Sequence, residues 1–221
     1  MRSGRAELRS VLAEFGLSTD GDVLNASNAY AEPFLQFLGA EEIISLDANS
    51  YQGASMLHDL NLPIPEAMKC AFDVVIEGGT LEHIFNFPIA IQNCMEMLVP
   101  GGCYLGIGPA NNFCGHGFYQ FSPDLFFRIF SAENGFKVER MILCEVQANA
   151  EWFEVRDPHT EQQFVEFLST SKPTYLLVQA KKLAHRPLFK RYPQQSVYQL
   201  LWDNKTPGAE RSKLIVPTSR T

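Results

Sequence analysis

The stretch of sequence that decides the fold is FDVVIEGGTLEHIFNFPIAIQNCMEMLVPGGCYLGIGP, residues 72–109. It opens with an apolar, β-branched run over 72–77, which is typical of a buried strand. A helical pattern begins at Pro88, because proline suits the first turn of a helix, and the glycines of the turn at 100–102 close it. A second strand pattern follows over 102–107. A strand, a helix and a strand in this order predict a βαβ unit with two parallel strands.

The same alternation of strands and helices continues on both sides of this unit. An amphipathic helix is predicted over residues 4–15, and another begins at Ser122-Pro123 and is expected to end at Gly135. The sequence therefore predicts an α/β fold with a seven-stranded, mostly parallel sheet flanked by helices. The predicted strands are 22–27, 42–47, 56–59, 72–77, 102–107, 136–146 and 174–181.

Charge is distributed unevenly along the 221 residues. Residues 1–180 hold 9 Lys and Arg against 23 Asp and Glu, whereas residues 181–221 hold 9 against 2. We therefore expect one domain over 1–182 and a basic C-terminal extension over 183–221. The extension either contacts an acidic protein partner or folds back onto its own domain. Its basic residues, with those just before it, include Lys181, Lys182, Arg186, Lys190 and Arg191.

Several classes of protein are excluded by composition. Between Arg9 and Arg128 the only Lys or Arg is Lys69, so this half of the chain offers almost nothing to bind a phosphate backbone, and nucleic acid is not expected as a partner. No apolar run approaches the roughly 20 residues that span a bilayer, and the N-terminus has no secretory apolar region. A cytoplasmic location is expected. The five cysteines form no CxxC pair and are expected to be reduced thiols.

The order of an FDVV strand, an LEH turn, a helix and a PGG turn resembles class I S-adenosylmethionine-dependent methyltransferases. The resemblance covers about residues 20–145 and implies a Rossmann-like domain, S-adenosylmethionine as the cofactor and methyl transfer as the reaction. In that family the end of the fourth strand lies beside the sulfonium. The resemblance therefore implies that Glu77, Gly78 and Gly79 line the cofactor, with the glycines allowing close approach of the backbone.

Acidic residues at two other strand ends are candidates to hold the adenosine. Ligands of open parallel sheets bind outside the carboxyl ends of the strands. Asp47 ends the predicted strand 42–47 and can accept both ribose hydroxyls, although an Asp at this place is also common as a turn residue. Asp59 can accept a hydrogen bond from the adenine amino group, with Leu60 against the ring.

The first strand departs from the family pattern. A glycine-rich turn is expected after it, whereas residues 23–30 read VLNASNAY and contain no glycine. The short side chains of Asn25, Ser27 and Asn28 keep room for the amino-acid end of the cofactor, and they are predicted to contact it. The same departure argues against a nicotinamide dehydrogenase, which needs GxGxxG at this turn. It also motivates the alternative of an inactive, methyltransferase-like binding or scaffold protein.

Candidate catalytic residues follow the fourth and fifth strands. Glu82 and His83 come directly after the predicted cofactor-lining segment, and His116 and Tyr119 lie in the loop ANNFCGHGFYQFSP, residues 110–123. A histidine with a near-neutral pKa can remove a proton from an acceptor hydroxyl or amine. The alternative for both histidines is an ordinary structural role.

A metal site is not expected from the sequence. Some methyltransferases bind a divalent ion through a Glu-x-x-Glu-His cluster, but Gly79 takes the place of the first Glu here. This leaves Glu82, His83 and His116 as an incomplete set of ligands. The predicted function is methyl transfer from S-adenosylmethionine to oxygen or nitrogen of a small-molecule acceptor, such as a sugar or a secondary metabolite.

Overall fold

The structure, a computed structural model, describes residues 3–17, 30–147, 150–161, 170–203 and 215–217. The chain divides into two compact units, Met1–His58 and Asp59–Thr221. Residues 183–203 therefore belong to the same unit as the large sheet. No helix in the described part of the chain has the length and apolar character needed to cross a membrane.

The first unit is small in its described part. It contains the helices α1 (Ser3–Glu14) and α2 (Glu32–Phe37) and the parallel two-stranded pair β1 (Leu46–Asp47) and β2 (Met56–Leu57). The helix predicted over 4–15 is confirmed, and the strands predicted at 42–47 and 56–59 are shorter than expected. The strand predicted at 22–27 lies outside the described residues.

The second unit holds the large sheet and its helices. Short 3-10 turns occur at Glu66–Met68, Leu81–His83 and Ala132–Asn134. Its strands and helices, in chain order, are β3 (Phe72–Glu77), α3 (Phe87–Met97), β4 (Leu98–Asn111), α4 (Pro123–Ile129), β5 (Phe136–Glu145), β6 (Trp152–Val155), α5 (Pro158–Glu161), β7 (Thr174–Lys182), α6 (Ser196–Trp202) and β8 (Ile215–Pro217).

The large sheet is mixed. Its six strands lie in the order β3-β4-β7-β5-β6-β8, and among the described pairs within this sheet only β3 and β4 are parallel. The prediction of one seven-stranded, mostly parallel sheet is not confirmed. The physical reason is the placement of β7, which inserts between β4 and β5 and runs opposite to both. Consequently β3, β4 and β5 run in the same direction, although β4 and β5 are not neighbouring strands in the sheet.

The predicted βαβ unit is present as β3, α3 and β4. Pro88 lies in the first turn of α3, and Leu98 turns the chain into extended backbone directly after the helix. One face of α3 carries Ala90, Ile91 and Met95, which are fully buried. This helix and α4 cover one face of the sheet, so the core lies between them and alternate residues of β4, β5 and β7.

The second predicted helix is shorter than expected. α4 begins at Pro123 but ends at Ile129, and the chain then makes the 3-10 turn Ala132–Asn134. Gly135, with a φ of +79°, ends that turn and not the helix. A Cβ at this position would lie 2.4 Å from the carbonyl oxygen of Ala184, so glycine is required where the chain after β7 passes.

The described part of the C-terminal extension packs on the second unit. The backbone N–H of Leu183 donates to the Gly135 carbonyl at 2.7 Å, and that of Phe189 donates to Asn134 Oδ1 at 3.0 Å. α6 was not predicted. It is held by Ser196, whose backbone N–H and hydroxyl both donate to the Asp124 carboxylate, and by the fully buried Leu200.

Candidate functional site

Three of the predicted cofactor-binding residues cannot be placed. Asn25, Ser27 and Asn28 lie outside the described residues, so their contacts with the amino-acid end of a cofactor stay a prediction from the sequence.

Asp47 lies at the end of β1 in the first unit. Its Oδ1 accepts the backbone N–H of Asn49 at 3.1 Å, so the side chain holds the turn that follows the strand. This is the turn role that the sequence left open as an alternative. Binding of a ribose by Asp47 stays a prediction.

Asp59 and Leu60 begin the second unit. Asp59 Oδ1 accepts hydrogen bonds from the backbone N–H and the side-chain amide of Asn61, at 2.9 and 2.8 Å. Leu60 is half-buried against the core, and its carbonyl accepts from Asn93 Nδ2 at 3.2 Å. Asn61 in turn binds both the backbone N–H and the side chain of Asn86, just before α3. This loop is thereby fixed to the start of the helix.

Glu77, at the end of β3, organises the turn that follows. Its Oε1 accepts the backbone N–H groups of Gly79, Thr80 and Leu81 at 2.9, 2.5 and 3.1 Å. Burial raises the pKa of this carboxyl, which is 8% exposed, and the three backbone donors oppose that shift by stabilising the charged form. The structure therefore gives Glu77 a positioning role, which the sequence did not suggest. A direct contact with the cofactor stays a prediction.

The two glycines after β3 differ in their surroundings. Gly79 has a φ of +96°, a left-handed conformation that favours glycine, and a Cβ there would lie 3.4 Å from Glu82 Oε1. A Cβ on Gly78 would meet no described atom within 4 Å. The backbone at Gly78 thus has open space beside it at the carboxyl end of β3, where a ligand of this kind of sheet is expected.

Glu82 is the centre of a cluster that also contains His83 and His116. The Glu82 side chain is only 2% exposed, whereas the two imidazoles are 46% and 49% exposed. Glu82 Oε1 lies 3.3 Å from His116 Nε2 and 3.8 Å from His83 Nε2. The imidazole rings meet edge to face with their centroids 4.8 Å apart. Three of the four predicted catalytic side chains therefore come together.

The loop after β4 carries His116 to this cluster through backbone contacts. The N–H of Phe118 donates to the Glu82 carbonyl at 2.7 Å. Gly117 has a φ of +72°, and a Cβ there would lie 2.8 Å from the same carbonyl oxygen. The loop can approach the Leu81–His83 turn this closely only because residue 117 is glycine.

Tyr119, the fourth predicted catalytic residue, is placed differently. Its hydroxyl donates to the Phe85 carbonyl at 2.7 Å, and its ring lies against Phe87 and Phe121. These contacts anchor the loop to the start of α3. A catalytic role for Tyr119 stays a prediction.

The buried carboxylate of Glu82 has few partners for its charge and its oxygens. Among the described residues, the ion-pair partners of Glu82 are the two histidines, and its Oε2 is buried without a hydrogen-bond partner. The nearby Glu82 charge also contributes to the raised pKa of Glu77. The hydroxyl of Tyr104 is likewise buried without a partner, and burial, with Glu77, Cys94 and Glu82, raises its pKa well above the usual range.

A cavity of about 330 Å³ is lined by residues from the end of β4, the start of α4, the start of β7 and the start of α6. It is lined by both polar and apolar side chains, and none of the predicted site residues is among its described lining residues. Sequence reasoning did not find it, because it is assembled from segments far apart in the chain. Its lining includes Asn111, Gln120, Phe121, Asp124, Thr174 and Ser196.

No protein-family model matches this chain, and no curated protein matches it. Solved structures that resemble it include a candidate methyltransferase from Bacillus halodurans C-125, with 13% identity and a TM-score of 0.40, covering 70% of this chain and 86% of that one.

A second similar structure is the branched-chain polyamine synthase from Thermus thermophilus in complex with N4-aminopropylspermidine and 5'-methylthioadenosine. It has 16% identity and a TM-score of 0.41, and the likeness covers 74% of this chain and 50% of the synthase. A C9 mutein of that synthase has 17% identity and a TM-score of 0.37, covering 70% of this chain and 47% of the mutein. This chain thus spans about half the length of the synthase. At these TM-scores the likeness is partial, and the function proposed below is argued from this chain's own residues.

Proposed function

We propose that this protein transfers a methyl group from S-adenosylmethionine to oxygen or nitrogen of a small molecule, such as a sugar or a secondary metabolite. The observation that carries the proposal is the cluster of Glu82, His83 and His116 directly after the Glu77-capped turn at the end of β3. It combines a buried carboxylate with two accessible imidazoles, at the edge of the sheet where the sequence resemblance places the reacting groups.

The cofactor side of the proposal rests on β3 and its turn. Glu77 holds three backbone N–H groups, so Gly78 and Gly79 are kept in one conformation with open space beside Gly78. A sulfonium is a cation, and the two buried carboxylates of Glu77 and Glu82 favour a positive charge nearby. Contacts of the adenosine with Asp47, Asp59 and Leu60 are proposed from the sequence alone.

Methyl transfer mainly requires that the protein hold the acceptor in line with the methyl group. The acceptor's lone pair attacks the methyl carbon, the carbon–sulfur bond breaks with its electron pair going to sulfur, and S-adenosylhomocysteine leaves. The acceptor's proton goes to an imidazole nitrogen of the cluster or to solvent. Holding the acceptor in line at about 3 Å supplies much of the rate enhancement, and a well-placed proton acceptor adds about 10²-fold or more.

The test separates binding from turnover. Purified protein is incubated with S-adenosylmethionine and a panel of hydroxyl and amine acceptors, and S-adenosylhomocysteine release is measured. Glu82→Gln is expected to keep S-adenosylhomocysteine affinity and to lower turnover by about 10²-fold or more. The exposed Glu151→Gln serves as the charge-matched control and should retain full turnover. Equal turnover of Glu82→Gln and wild type would contradict the role given to the cluster.

The alternative is a methyltransferase-like binding or scaffold protein without activity. The glycine-free stretch 23–30 favours it, because side chains there restrict the room for a cofactor's amino-acid end. It predicts that neither S-adenosylmethionine nor S-adenosylhomocysteine binds, which is the opposite of the result expected above.

A further inference from the structure

We propose that Glu82, His83 and His116 form a binding site for a first-row divalent transition metal ion such as Zn²⁺. One ligand atom from each of the three side chains lies within 4.8 Å of the others. The residues come from two separate segments up to 34 positions apart in sequence, the turn after β3 and the loop after β4. The sequence offered Glu82, His83 and His116 only as incomplete ligands and predicted no metal site, because Gly79 stands where the first Glu is expected.

The spacing of the ligand atoms suits a metal. Two atoms bound at about 2.0–2.1 Å to a tetrahedral ion lie about 3.3 Å apart. Glu82 Oε1 and His116 Nε2 are 3.3 Å apart, and Glu82 Oε1 and His83 Nε2 are 3.8 Å apart. Because both imidazoles are about half exposed, small rotations of their side chains bring all three atoms around one ion.

The burial of Glu82 provides a second and independent reason. Its side chain is 2% exposed, and its Oε2 has no hydrogen-bond partner. A buried carboxylate with an unsatisfied oxygen is costly, and such a charge is normally paired or bound to a metal. A cation bound between Glu82 and the two imidazoles would supply a charge partner for this carboxylate.

The site is held in place without the ion. Glu77 fixes the turn that carries Glu82, and the backbone contact of Gly117 and Phe118 with the Glu82 carbonyl fixes the loop that carries His116. Three protein ligands also leave at least one coordination position open for a water or another oxygen ligand, as in catalytic metal sites.

The donor set determines the class of ion. Two imidazole nitrogens and one carboxylate suit Zn²⁺ and other first-row transition ions, whereas Mg²⁺ and Ca²⁺ prefer all-oxygen sites. The metal site itself does not depend on methyl transfer. If the proposed function holds, an ion held by Glu82, His83 and His116 would supply Lewis-acid activation of the acceptor's hydroxyl, and the two histidines would act as ligands in place of proton acceptors.

The experiment titrates the protein, after removal of metal with EDTA, with ZnCl₂, MnCl₂ and MgCl₂ by calorimetry. We expect one Zn²⁺ per chain with micromolar or tighter affinity and at least tenfold weaker Mg²⁺ binding. Glu82→Gln and His116→Gln should each weaken Zn²⁺ at least tenfold. His185→Gln, which removes an exposed imidazole near Cys70, should leave it unchanged and so controls for adventitious binding.

The result that overturns the inference is absence of one-to-one Zn²⁺ binding, or an affinity that is unchanged in both Glu82→Gln and His116→Gln. Circular dichroism of each variant establishes that it is folded, and His116, being half exposed, can be replaced without disturbing the core. Titration of the same samples with S-adenosylhomocysteine separates the two proposals. Zn²⁺ binding without S-adenosylhomocysteine binding would support the metal site and contradict methyl transfer. S-adenosylhomocysteine binding without Zn²⁺ binding would support the cofactor site and contradict the metal site.

Discussion

Single residues set the geometry of the candidate site more than the strands do. Glu82, His83 and Glu77 were identifiable because they follow a strongly patterned strand, where ligands of such sheets bind. The contact between Glu82 and His116 was not predictable, because it depends on the path of the 110–123 loop. The one signal in the sequence is the pair of glycines around His116, of which Gly117 proves necessary for the close approach.

Gly117→Ala tests that requirement. The Cβ would lie 2.8 Å from the Glu82 carbonyl, in a residue with φ of +72°, so we expect a loss of about 1–3 kcal/mol in the free energy of unfolding. Gly115→Ala is the matched control, since a Cβ there meets no described atom within 4 Å, and we expect it to cost under about 0.5 kcal/mol. Urea unfolding measures both variants, and equal stabilities would contradict the packing described.

Glu77 gives a prediction for the dependence of stability on pH. Burial raises its folded-state pKa above 4.5, so between pH 4.5 and that raised pKa the folded state binds a proton that the unfolded state has released. The free energy of unfolding should therefore fall as pH rises through this window. Glu77→Gln keeps an oxygen acceptor for the turn but does not titrate.

The measurement is the difference in unfolding free energy between wild type and Glu77→Gln at several pH values from 4 to 7. Wild type should lose stability relative to the variant as pH rises. Glu151→Gln, an exposed site, controls for general charge effects. A difference that is constant with pH, or that changes in the other direction, would show that the Glu77 pKa is not raised.

Among the secondary-structure elements, those with strong local patterns were predictable. β3 has the predicted bounds, and α3 begins within one residue of Pro88, because apolar periodicity and helix-terminal residues act locally. The order of strands was not predictable, since the position of β7 between β4 and β5 depends on pairing across the chain. α6 was not predicted because it is short and its sequence mixes polar residues with the buried Leu200, so it has no clear helical period.

The end of α3 depends on a lysine from β7. Lys182 Nζ donates to the carbonyls of Met95 and Leu98 at 2.9 and 2.7 Å, which places a cation at the carboxyl end of the helix. The sequence grouped Lys182 with the basic residues at the start of the extension, for which contact with a partner or with the domain itself was expected. Its side chain is instead buried, and burial lowers its pKa.

We therefore expect Lys182→Met to lower the free energy of unfolding by about 2 kcal/mol or more, because it leaves two buried carbonyls without a donor. The neighbouring Lys181 is exposed, and Lys181→Met should change stability by less than about 0.5 kcal/mol. Thermal unfolding compares the two. A Lys182→Met protein as stable as Lys181→Met would show that the helix end does not need this side chain.

At the scale of the whole molecule, the described part of the basic extension belongs to the same compact unit as the large sheet. Residues 183–203 are fixed to the second unit through Gly135, Asn134 and Asp124. Arg191 also pairs with Glu133. Counts of acidic and basic residues show how charge is distributed along the chain. The docking of the extension depends instead on a few apolar contacts and hydrogen bonds, which such counts do not contain. Binding of an acidic partner stays a prediction.

Two adjacent leucines in α6 test whether this docking stabilises the fold. Leu200 is 0% exposed and Leu201 is 49% exposed. Leu200→Ala should lower the free energy of unfolding by about 2–5 kcal/mol, the usual cost for a buried leucine. Leu201→Ala should change it by less than about 0.5 kcal/mol. If both variants unfold at the same urea concentration as wild type, the extension contributes nothing to the stability of the second unit.

The measurement that tests the central claim most directly is calorimetric titration of the wild-type protein with S-adenosylmethionine and S-adenosylhomocysteine, repeated on Asp47→Ala. Binding of one molecule per chain with a micromolar Kd, weakened at least tenfold in Asp47→Ala, is the result predicted for a cofactor site of the proposed kind. No binding of either compound would contradict it and would favour a binding or scaffold protein with the same fold.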